Sequence, residues 1–203
     1  MPTHPEPAAE PRRRRADAER SIARILDAAV DALASDPDAS MAEIARRAGV
    51  VRATIYVHFP TRDALIDAVT HRAITEVGAV IDAAEPERGD PADALQRVLA
   101  STWRELGRYH ALVAITTQLP LPEVRARHHP VLARLEPLIA RGQRDGSFRS
   151  DVPASWHLSM LMALIHAASA ELQAARIADT QAEAALVSTV LGAIGDRRVT
   201  RSP

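Results

Sequence analysis

The sequence contains no cysteine and no lysine among its 203 residues. Without cysteine the chain can form neither disulfide bonds nor the thiolate sites that hold zinc or iron–sulfur clusters. Without lysine it lacks the amine that forms Schiff bases and the lysine of a phosphate-binding P-loop. All 25 basic residues are therefore arginine.

Aromatic residues and long apolar runs are also scarce. Phe, Trp and Tyr make up only 3% of the chain. The longest apolar stretch, residues 158–170, is interrupted by Ser159, His166 and Ser169 and is shorter than the roughly 18 residues of a membrane span. The arginine-rich N-terminus has no apolar segment behind it, so it does not have the pattern of a secretory signal. We therefore expect a cytoplasmic protein with no membrane partner.

Catalytic and metal-binding motifs are missing as well. The sequence has no G-x-S-x-G, G-x-G-x-x-G or H-E-x-x-H pattern. Its histidines do not show the i, i+4 spacing of a helical metal chelate, since His128 and His129 are adjacent and His157 and His166 are further apart. We therefore expect no enzymatic activity, no dedicated metal site and no cofactor.

What is present is a strong helical pattern in an ordinary globular composition, 47% hydrophobic and 25% charged. Apolar residues such as Ile22, Ile25, Leu26 and Ala29 recur at three- and four-residue steps, which is typical of a helix with one buried face. No strand pattern occurs. The sequence predicts an all-α fold of about nine helices.

The segment 40–65 carries the start and stop signals of two short helices and the start signal of a longer one. Ser40 and Glu43 have the spacing of a capping box, Gly49 suits the left-handed end of a helix, and Thr61 is an N-cap candidate. A short helix, a tight turn and a second short helix form a helix-turn-helix arrangement. Residues 40–62 contain four arginines against one glutamate, a local charge of +3 that suits DNA.

Residues 18–70 resemble the DNA-binding domain of the TetR family of transcriptional regulators. The matching positions are Ile25, Leu26, Ala28, Ala29, Ile44, Ala45, Ala48, Gly49, Val50, Thr54, Ile55, Tyr56, His58, Phe59 and residues 61–65. Two positions depart from the family pattern. Val51 stands where the family usually has serine, so the third helix should lack a side-chain N-cap, and the turn at residues 36–39 lacks the usual glycine.

The resemblance implies a homodimer whose third helices enter successive major grooves of palindromic, double-stranded operator DNA. It also implies which side chains touch DNA: phosphates would be contacted by Thr54, Tyr56, His58 and Arg62, while Arg52 would read guanine and Ala53 would lie against a thymine methyl group. Two alternatives stay open. Ser40 either only caps its helix or also touches a phosphate, and Tyr56 either contacts DNA or packs half-buried. The predicted core of this domain consists of Ile44, Ile55, Phe59 and Leu65.

These features divide the chain into a flexible basic arm at 1–16, a helix-turn-helix domain at 17–62, a connecting helix at 63–85 and an effector-binding and dimerisation domain at 90–198. Whether the arginines at 12–15 touch DNA or are simply solvated stays open. In the second domain, the prolines predict a helix that starts at Pro130 and bends near Pro137.

The resemblance further implies a repressor that a small molecule releases from DNA, although an activator is an open alternative. An apolar effector would lie in a pocket among the fifth to eighth helices, lined by Trp103, Tyr109, His110, Met160 and His166. The last two helices would pair with those of a second copy, or their small residues would serve ordinary interior packing.

The net charge of −1 hides an uneven distribution. Residues 12–62 hold ten arginines against seven acidic residues, which gives +3 and leaves −4 for the rest of the chain. The arginine-rich part is therefore the part that the motif assigns to DNA.

Overall fold

The structure is a computed structural model that describes residues 9–116 and 120–195. These ranges contain nine α-helices: α1 (Ala9–Ser35), α2 (Met41–Arg47), α3 (Arg52–His58), α4 (Arg62–Ala83), α5 (Pro91–Leu106), α6 (His110–Thr116), α7 (Leu121–Asp145), α8 (Ala154–Gln173) and α9 (Asp179–Ile194). A 3-10 turn at Gly107–Tyr109 precedes α6. The described residues form no strand, only one isolated bridge between Phe148 and Gly195. The predicted all-α fold is confirmed.

The chain divides into two compact units, Met1–Val69 and Thr70–Pro203. The division falls inside α4 rather than before it, where the sequence had suggested a boundary. Leu65 and Val69, in the first two turns of α4, are fully buried and belong to the first unit. The start of the predicted connecting helix is thus part of the first unit.

The predicted flexible arm is wrong for residues 9–16, which form the first turns of α1. Alanine and arginine both favour helix, and Arg15 pairs with Glu19 one turn later (Nε to Oε1, 3.7 Å). Pro11 does not interrupt the helix because the N–H groups of a first turn have no intrahelical partner to lose. Residues 1–8 of the predicted arm lie outside the described residues, as do 196–198 at the other end of the predicted domains.

The helices of the first unit begin as the sequence indicated. The Ser40 hydroxyl accepts a hydrogen bond from the Glu43 N–H (3.2 Å), and the Thr61 hydroxyl accepts one from the Ala64 N–H (3.1 Å). Gly49 has φ = +62°, the left-handed conformation that ends α2. Val51 precedes α3 without a side-chain cap, as expected from its apolar side chain.

The turn before α2 closes without glycine. The Asp38 N–H donates to Asp36 Oδ1 (3.0 Å) and the Ala39 N–H donates to the Asp36 carbonyl (3.0 Å), so the aspartate side chain supports an Asx turn. No residue from 36 to 39 has a positive φ. The departure from the family pattern therefore leaves this turn unstrained.

The core of the first unit contains the four residues predicted for it. Ile44, Ile55 and Leu65 are fully buried, and Phe59 is 7% exposed. Ile25 of α1 is also fully buried. Each such side chain contributes about 1.5–3 kcal/mol relative to full exposure, so this small unit depends on a few residues.

In the second unit, the predicted start of the proline-containing helix is wrong, and its bend near Pro137 stays a prediction. The helix α7 begins at Leu121, after Pro120, and runs through both Pro130 and Pro137. The two prolines lie two turns apart on the exposed side, where water can satisfy the carbonyls of Ala126 and Ala133 that lose their backbone donors. Burial of Leu135, Leu138 and Ile139 holds the opposite face of α7 in the core.

The core of the second unit includes Trp103, Leu95, Ile139, Phe148 and Leu161, all fully buried. Phe148 lies against α7 at Gly142, where the absence of a side chain leaves room for its ring. Within residues 9–116 and 120–195, no helix is long and apolar enough to cross a membrane.

Candidate functional site

The exposed face of α3 combines a cation with apolar side chains. Arg52, Ala53, Tyr56 and Val57 are exposed, whereas Ile55 points into the core. The Arg52 guanidinium carbon lies 5.6 Å from the centroid of the Tyr56 ring, a cation–π contact one turn along the helix. This contact places the positive charge of Arg52 beside the aromatic ring on the exposed face of the helix.

The stretch of sequence that contains α3 has no carboxylate side chains. No Asp or Glu occurs from residue 44 to residue 62. The Glu43 carboxylate, just before this stretch, accepts hydrogen bonds from Arg46 (2.6 and 2.9 Å) and Arg47 (2.8 Å). Hydrogen bonds from Arg46 and then Arg47 lower the pKa of Glu43 from 4.5 to about 2. The one acidic group of residues 40–62 is therefore neutralised by neighbouring arginines.

Two arginines donate hydrogen bonds to the turns before and after α2. The Arg24 guanidinium donates to the carbonyls of Ala48 (2.5 Å) and Gly49 (3.0 Å), in the turn between α2 and α3. The Arg62 guanidinium donates to the Pro37 carbonyl (2.5 Å), which joins the start of α4 to the turn before α2. Charge-assisted hydrogen bonds of this kind hold α3 in a defined position within the first unit.

The second unit contains a narrow apolar cavity of about 90 Å³. It is bounded by α4, α5, α6, α7, α8 and the 3-10 turn, and most of its lining is aliphatic. The polar lining residues are Thr70, Thr102, Tyr109, His128 and His166. Among the described residues that line it, none is an aspartate, a glutamate or an arginine.

The two histidines of the cavity face each other across α7 and α8. Their ring centroids are 5.3 Å apart in an edge-on arrangement. His128 Nδ1 lies 2.8 Å from the Val124 carbonyl, so in the neutral ring Nδ1 carries the proton and Nε2 is an acceptor. Burial lowers the pKa of His128, and burial with the nearby His128 ring lowers the pKa of His166 to about 4. Both rings are therefore neutral near pH 7.

Tyr109 and Thr102 carry two of the three hydroxyl groups among the residues that line the cavity. The Tyr109 hydroxyl donates to the Glu76 carboxylate, and burial followed by this hydrogen bond raises the pKa of Tyr109 to about 12. The Thr102 hydroxyl is buried and has no hydrogen-bond partner. Such an unsatisfied group favours a ligand that offers it a hydrogen bond.

Comparison with known proteins assigns this architecture to a family. The family model "Bacterial regulatory proteins, tetR family" matches residues 25–69. The HTH-type transcriptional regulator NfxB of Pseudomonas aeruginosa is 30% identical over 145 residues, which cover 70% of this chain and 78% of that protein. The chain belongs to the TetR family.

Further relatives of this TetR-family chain support the same assignment. The HTH-type transcriptional repressor LfrR of Mycolicibacterium smegmatis is 39% identical over 83 residues, or 41% of this chain and 44% of that protein. The crystal structure of LfrR from Mycobacterium smegmatis in complex with proflavine superimposes with a TM-score of 0.69 at 27% identity, covering 88% of this chain and 98% of that one. The chain is therefore a DNA-binding transcriptional regulator.

The DNA-contact residues predicted for this TetR-family regulator all lie in its first unit, on α3 or at the starts of α2 and α4. Four of them are exposed: Ser40, Arg52, Ala53 and Tyr56. Thr54, His58 and Arg62 are half-buried. Ser40 caps α2, which leaves its contact with phosphate a prediction, and the Arg62 guanidinium already binds the Pro37 carbonyl.

The predicted effector-binding residues are only partly placed at the cavity. Tyr109 and His166 line it, whereas Trp103, His110 and Met160 do not. The rings of Trp103 and His110 contact each other, with centroids 4.5 Å apart and planes tilted by 44°.

Polar partners hold these two rings in the core. The Trp103 indole donates to Asp179 Oδ1 (2.9 Å), and His110 Nδ1 lies 3.0 Å from the Ser169 hydroxyl. Met160 packs against the core, and Met162, two residues further along α8, lines the cavity in its place.

Sequence reasoning missed the contribution of α4 to the cavity. Thr70, Ala73, Ile74, Val77 and Ile81 follow helical spacing and line one side of it. Their spacing continues the apolar face of α4 beyond Val69, and that continuation was the available signal. In the part of the chain that the structure describes, no three His, Asp or Glu side chains are grouped so that they could hold a metal ion.

Proposed function

We propose that this regulator is a repressor that binds a palindromic operator as a homodimer and is released by a small apolar molecule. The observation that carries the proposal is the exposed face of α3, with the Arg52–Tyr56 stack in a stretch free of acidic residues. A groove lined by phosphates attracts such a face and repels a carboxylate. LfrR, a relative named as a transcriptional repressor, supports repression rather than activation.

In this proposal, the side chains of α3 divide into two groups. Thr54, Tyr56 and His58 donate hydrogen bonds to phosphates, as does Arg62 at the start of α4, and these contacts position the protein without reading sequence. Arg52 makes a bidentate contact with guanine, and Ala53 lies against a thymine methyl group. DNA as the partner implies action in the cytoplasm, and a regulator of this kind needs no catalytic activity.

The proposed effector has a largely apolar body and no net charge inside the cavity. An ion placed among the aliphatic side chains would lose its hydration without gaining a counter-ion from the lining. The Thr102 hydroxyl and the neutral histidines offer hydrogen bonds to a polar group. The LfrR structure contains proflavine, a planar aromatic cation, which supports a planar aromatic body for the effector of this chain; its lack of charge is argued from the lining of this cavity alone.

The homodimer would form through α8 and α9. The exposed side of α9 carries small, uncharged residues at helical spacing, namely Ala184, Ala185, Ser188, Thr189 and Gly192. Small side chains allow two helices to approach closely, which is the requirement for a four-helix bundle between two copies. The effector would release DNA by binding one conformation of the protein more tightly than the DNA-bound one.

The central test is operator binding as a function of salt. The operator is first selected from randomised duplexes with the purified protein, and its Kd is then measured by fluorescence anisotropy between about 50 and 300 mM KCl. Each phosphate that a positive charge neutralises contributes about −0.9 to the slope of log K against log salt, so the local charge of +3 in residues 40–62 of two copies predicts a slope near −5. Absent or salt-independent binding would contradict the proposal.

The release step has its own test. Uncharged aromatic compounds are screened for those that weaken the operator complex, and the hits are repeated with Ala73→Phe, which fills the cavity. A compound that acts through the cavity should release the parent protein and leave the variant bound. Equal release of both proteins would place the effector elsewhere.

A further inference from the structure

Apolar side chains on the surface are concentrated around α3. The large hydrophobic residues exposed in the described part of the chain are Val51, Tyr56, Val57 and Trp156, and three of these four lie between residues 51 and 57. Val57 is 77% exposed, more than any of the others. Single exposed apolar residues need no explanation, but a cluster on one short helix indicates a partner.

Val57 lies on the same side of α3 as Ala53, because residues four apart on a helix are neighbours. The two side chains form an apolar strip beside the Arg52–Tyr56 stack. A partner for this face must therefore offer an apolar group next to hydrogen-bond acceptors and negative charge. In the major groove of DNA, the thymine methyl group is the apolar group, and it lies among base acceptors between two rows of phosphates.

We propose that Val57, together with Ala53 one turn before it, reads thymine methyl groups and so contributes to operator choice. The inference rests on the proposed DNA-binding function and adds a residue that sequence reasoning did not select. Four residues of helix rise about 6 Å, and successive base pairs are about 3.4 Å apart. Ala53 and Val57 therefore read thymines about two base pairs apart in each half-site, with the guanine read by Arg52 close to the first.

The test removes one methyl group at a time from the DNA. The operator selected with the natural protein is made again with single thymine-to-deoxyuridine replacements, which delete the methyl group and keep base pairing unchanged. Kd is measured for each duplex at one fixed salt concentration. We expect two positions in each half-site at which the loss weakens binding about fourfold, the effect of one buried methyl-sized group.

Protein variants then assign each methyl group to a side chain. For each position, the ratio of interest is Kd for the deoxyuridine duplex divided by Kd for the thymine duplex. In Val57→Ala this ratio should fall close to 1 at one of the two positions and keep its parent value at the other. Val51→Ala is the matched control, because Val51 is 70% exposed but precedes the helix, and the ratio should stay at its parent value. Melting curves of all three proteins confirm that these surface changes leave the fold intact.

The outcomes are distinguishable. If the protein binds its operator but no deoxyuridine replacement changes Kd by more than twofold, methyl reading is wrong and DNA binding stands. If the methyl effects persist in Val57→Ala, another residue reads them and the role of Val57 is wrong. If Val57→Ala instead impairs self-association with unchanged ratios, the apolar strip contacts protein. If no duplex is selected at any salt concentration, the proposed function itself fails.

Discussion

Arg52 and Arg62 carry the same charge in different surroundings. The Arg52 guanidinium stacks on Tyr56 at the surface of α3, while the Arg62 guanidinium donates to the Pro37 carbonyl. We predict that Arg52→Ala relaxes the preference for one base in each half-site, because a bidentate contact with guanine is lost. Arg62→Ala should weaken binding to all sequences alike and lower the free energy of unfolding by about 1 kcal/mol.

Selection on randomised duplexes and urea unfolding distinguish these two roles. Arg52→Ala should broaden the selected consensus and leave stability unchanged. If both variants reduced affinity without changing the consensus, the base-reading role of Arg52 would be wrong.

The His166 ring makes stability depend on pH. Its pKa in the folded protein is about 4, compared with an ordinary value of 6.5, so the unfolded chain binds the proton more tightly. The stabilisation is complete above pH 6.5 and is lost as the pH falls towards 4. We expect His166→Phe to lose less stability than the parent protein between pH 7 and pH 4.5, as measured by urea unfolding. Equal losses in both proteins would mean that this ring is not the source.

Single residues could be predicted where their role is local. The caps at Ser40 and Thr61 and the glycine at 49 follow from hydrogen bonding and backbone conformation within a few residues. The positions of Trp103 and His110 could not be predicted, because the sequence does not indicate that their rings contact each other. Their partners Asp179 and Ser169 are more than fifty residues away.

Among the helices, α3 starts without a side-chain cap. Its N-cap residue, Val51, has the extended backbone that a cap requires but no oxygen to accept from the helix N–H groups. We predict that Val51→Ser raises the free energy of unfolding by about 1 kcal/mol. Urea unfolding in the absence of DNA measures the change. Val51→Ala, which removes the same apolar surface without adding an acceptor, should show no gain.

The contact of α7 with Phe148 depends on one glycine. A Cβ atom at Gly142 would overlap the Phe148 ring, which is fully buried, whereas a Cβ atom at Gly107 would meet nothing within 4 Å. Gly142→Ala should therefore lower the free energy of unfolding by about 1–3 kcal/mol through overpacking. Gly107→Ala is the control and should leave stability unchanged or slightly higher. Similar effects of both substitutions would show that the ring adjusts.

Whole helices were predicted best where propensity and packing agree. The bounds of α2 followed from sequence, since the cap at Ser40 and the glycine at position 49 indicate its two ends. The bounds of α7 did not, because the local effect of Pro130 and Pro137 opposes helix while burial of the other face favours it. That balance is set by tertiary packing, which local pattern does not contain.

For the whole molecule, self-association through α9 is the testable expectation. Ala184→Arg places a charge on the exposed small-residue face of α9, and two such charges would meet in a symmetric pair of helices. We expect the variant to be monomeric by light scattering and to bind operator at least tenfold more weakly. Ala79→Arg, an exposed alanine on α4, is the matched control and should remain dimeric. A dimeric Ala184→Arg protein would exclude this face of α9.

Family and fold could be predicted from the first seventy residues alone, since caps, core positions and arginines coincide there. A cavity in the second unit could be expected from the sequence, but the residues that line it could not be predicted correctly. Its lining comes from five helices distant in sequence and a 3-10 turn. In helices of this kind, apolar spacing marks a buried face without indicating whether that face meets another helix or an empty space.

The two tryptophans give the protein an optical signal for its own interior. Trp103 is 1% exposed and is held by Asp179 at the start of α9, whereas Trp156 is 62% exposed. Replacement of Trp156 by phenylalanine would leave a single emitter in an apolar environment, where indole fluorescence is blue-shifted. Separation of α9 from α5 would move that emission to longer wavelength. Fluorescence of the unlabelled protein could then follow this helix contact in real time as compounds are added.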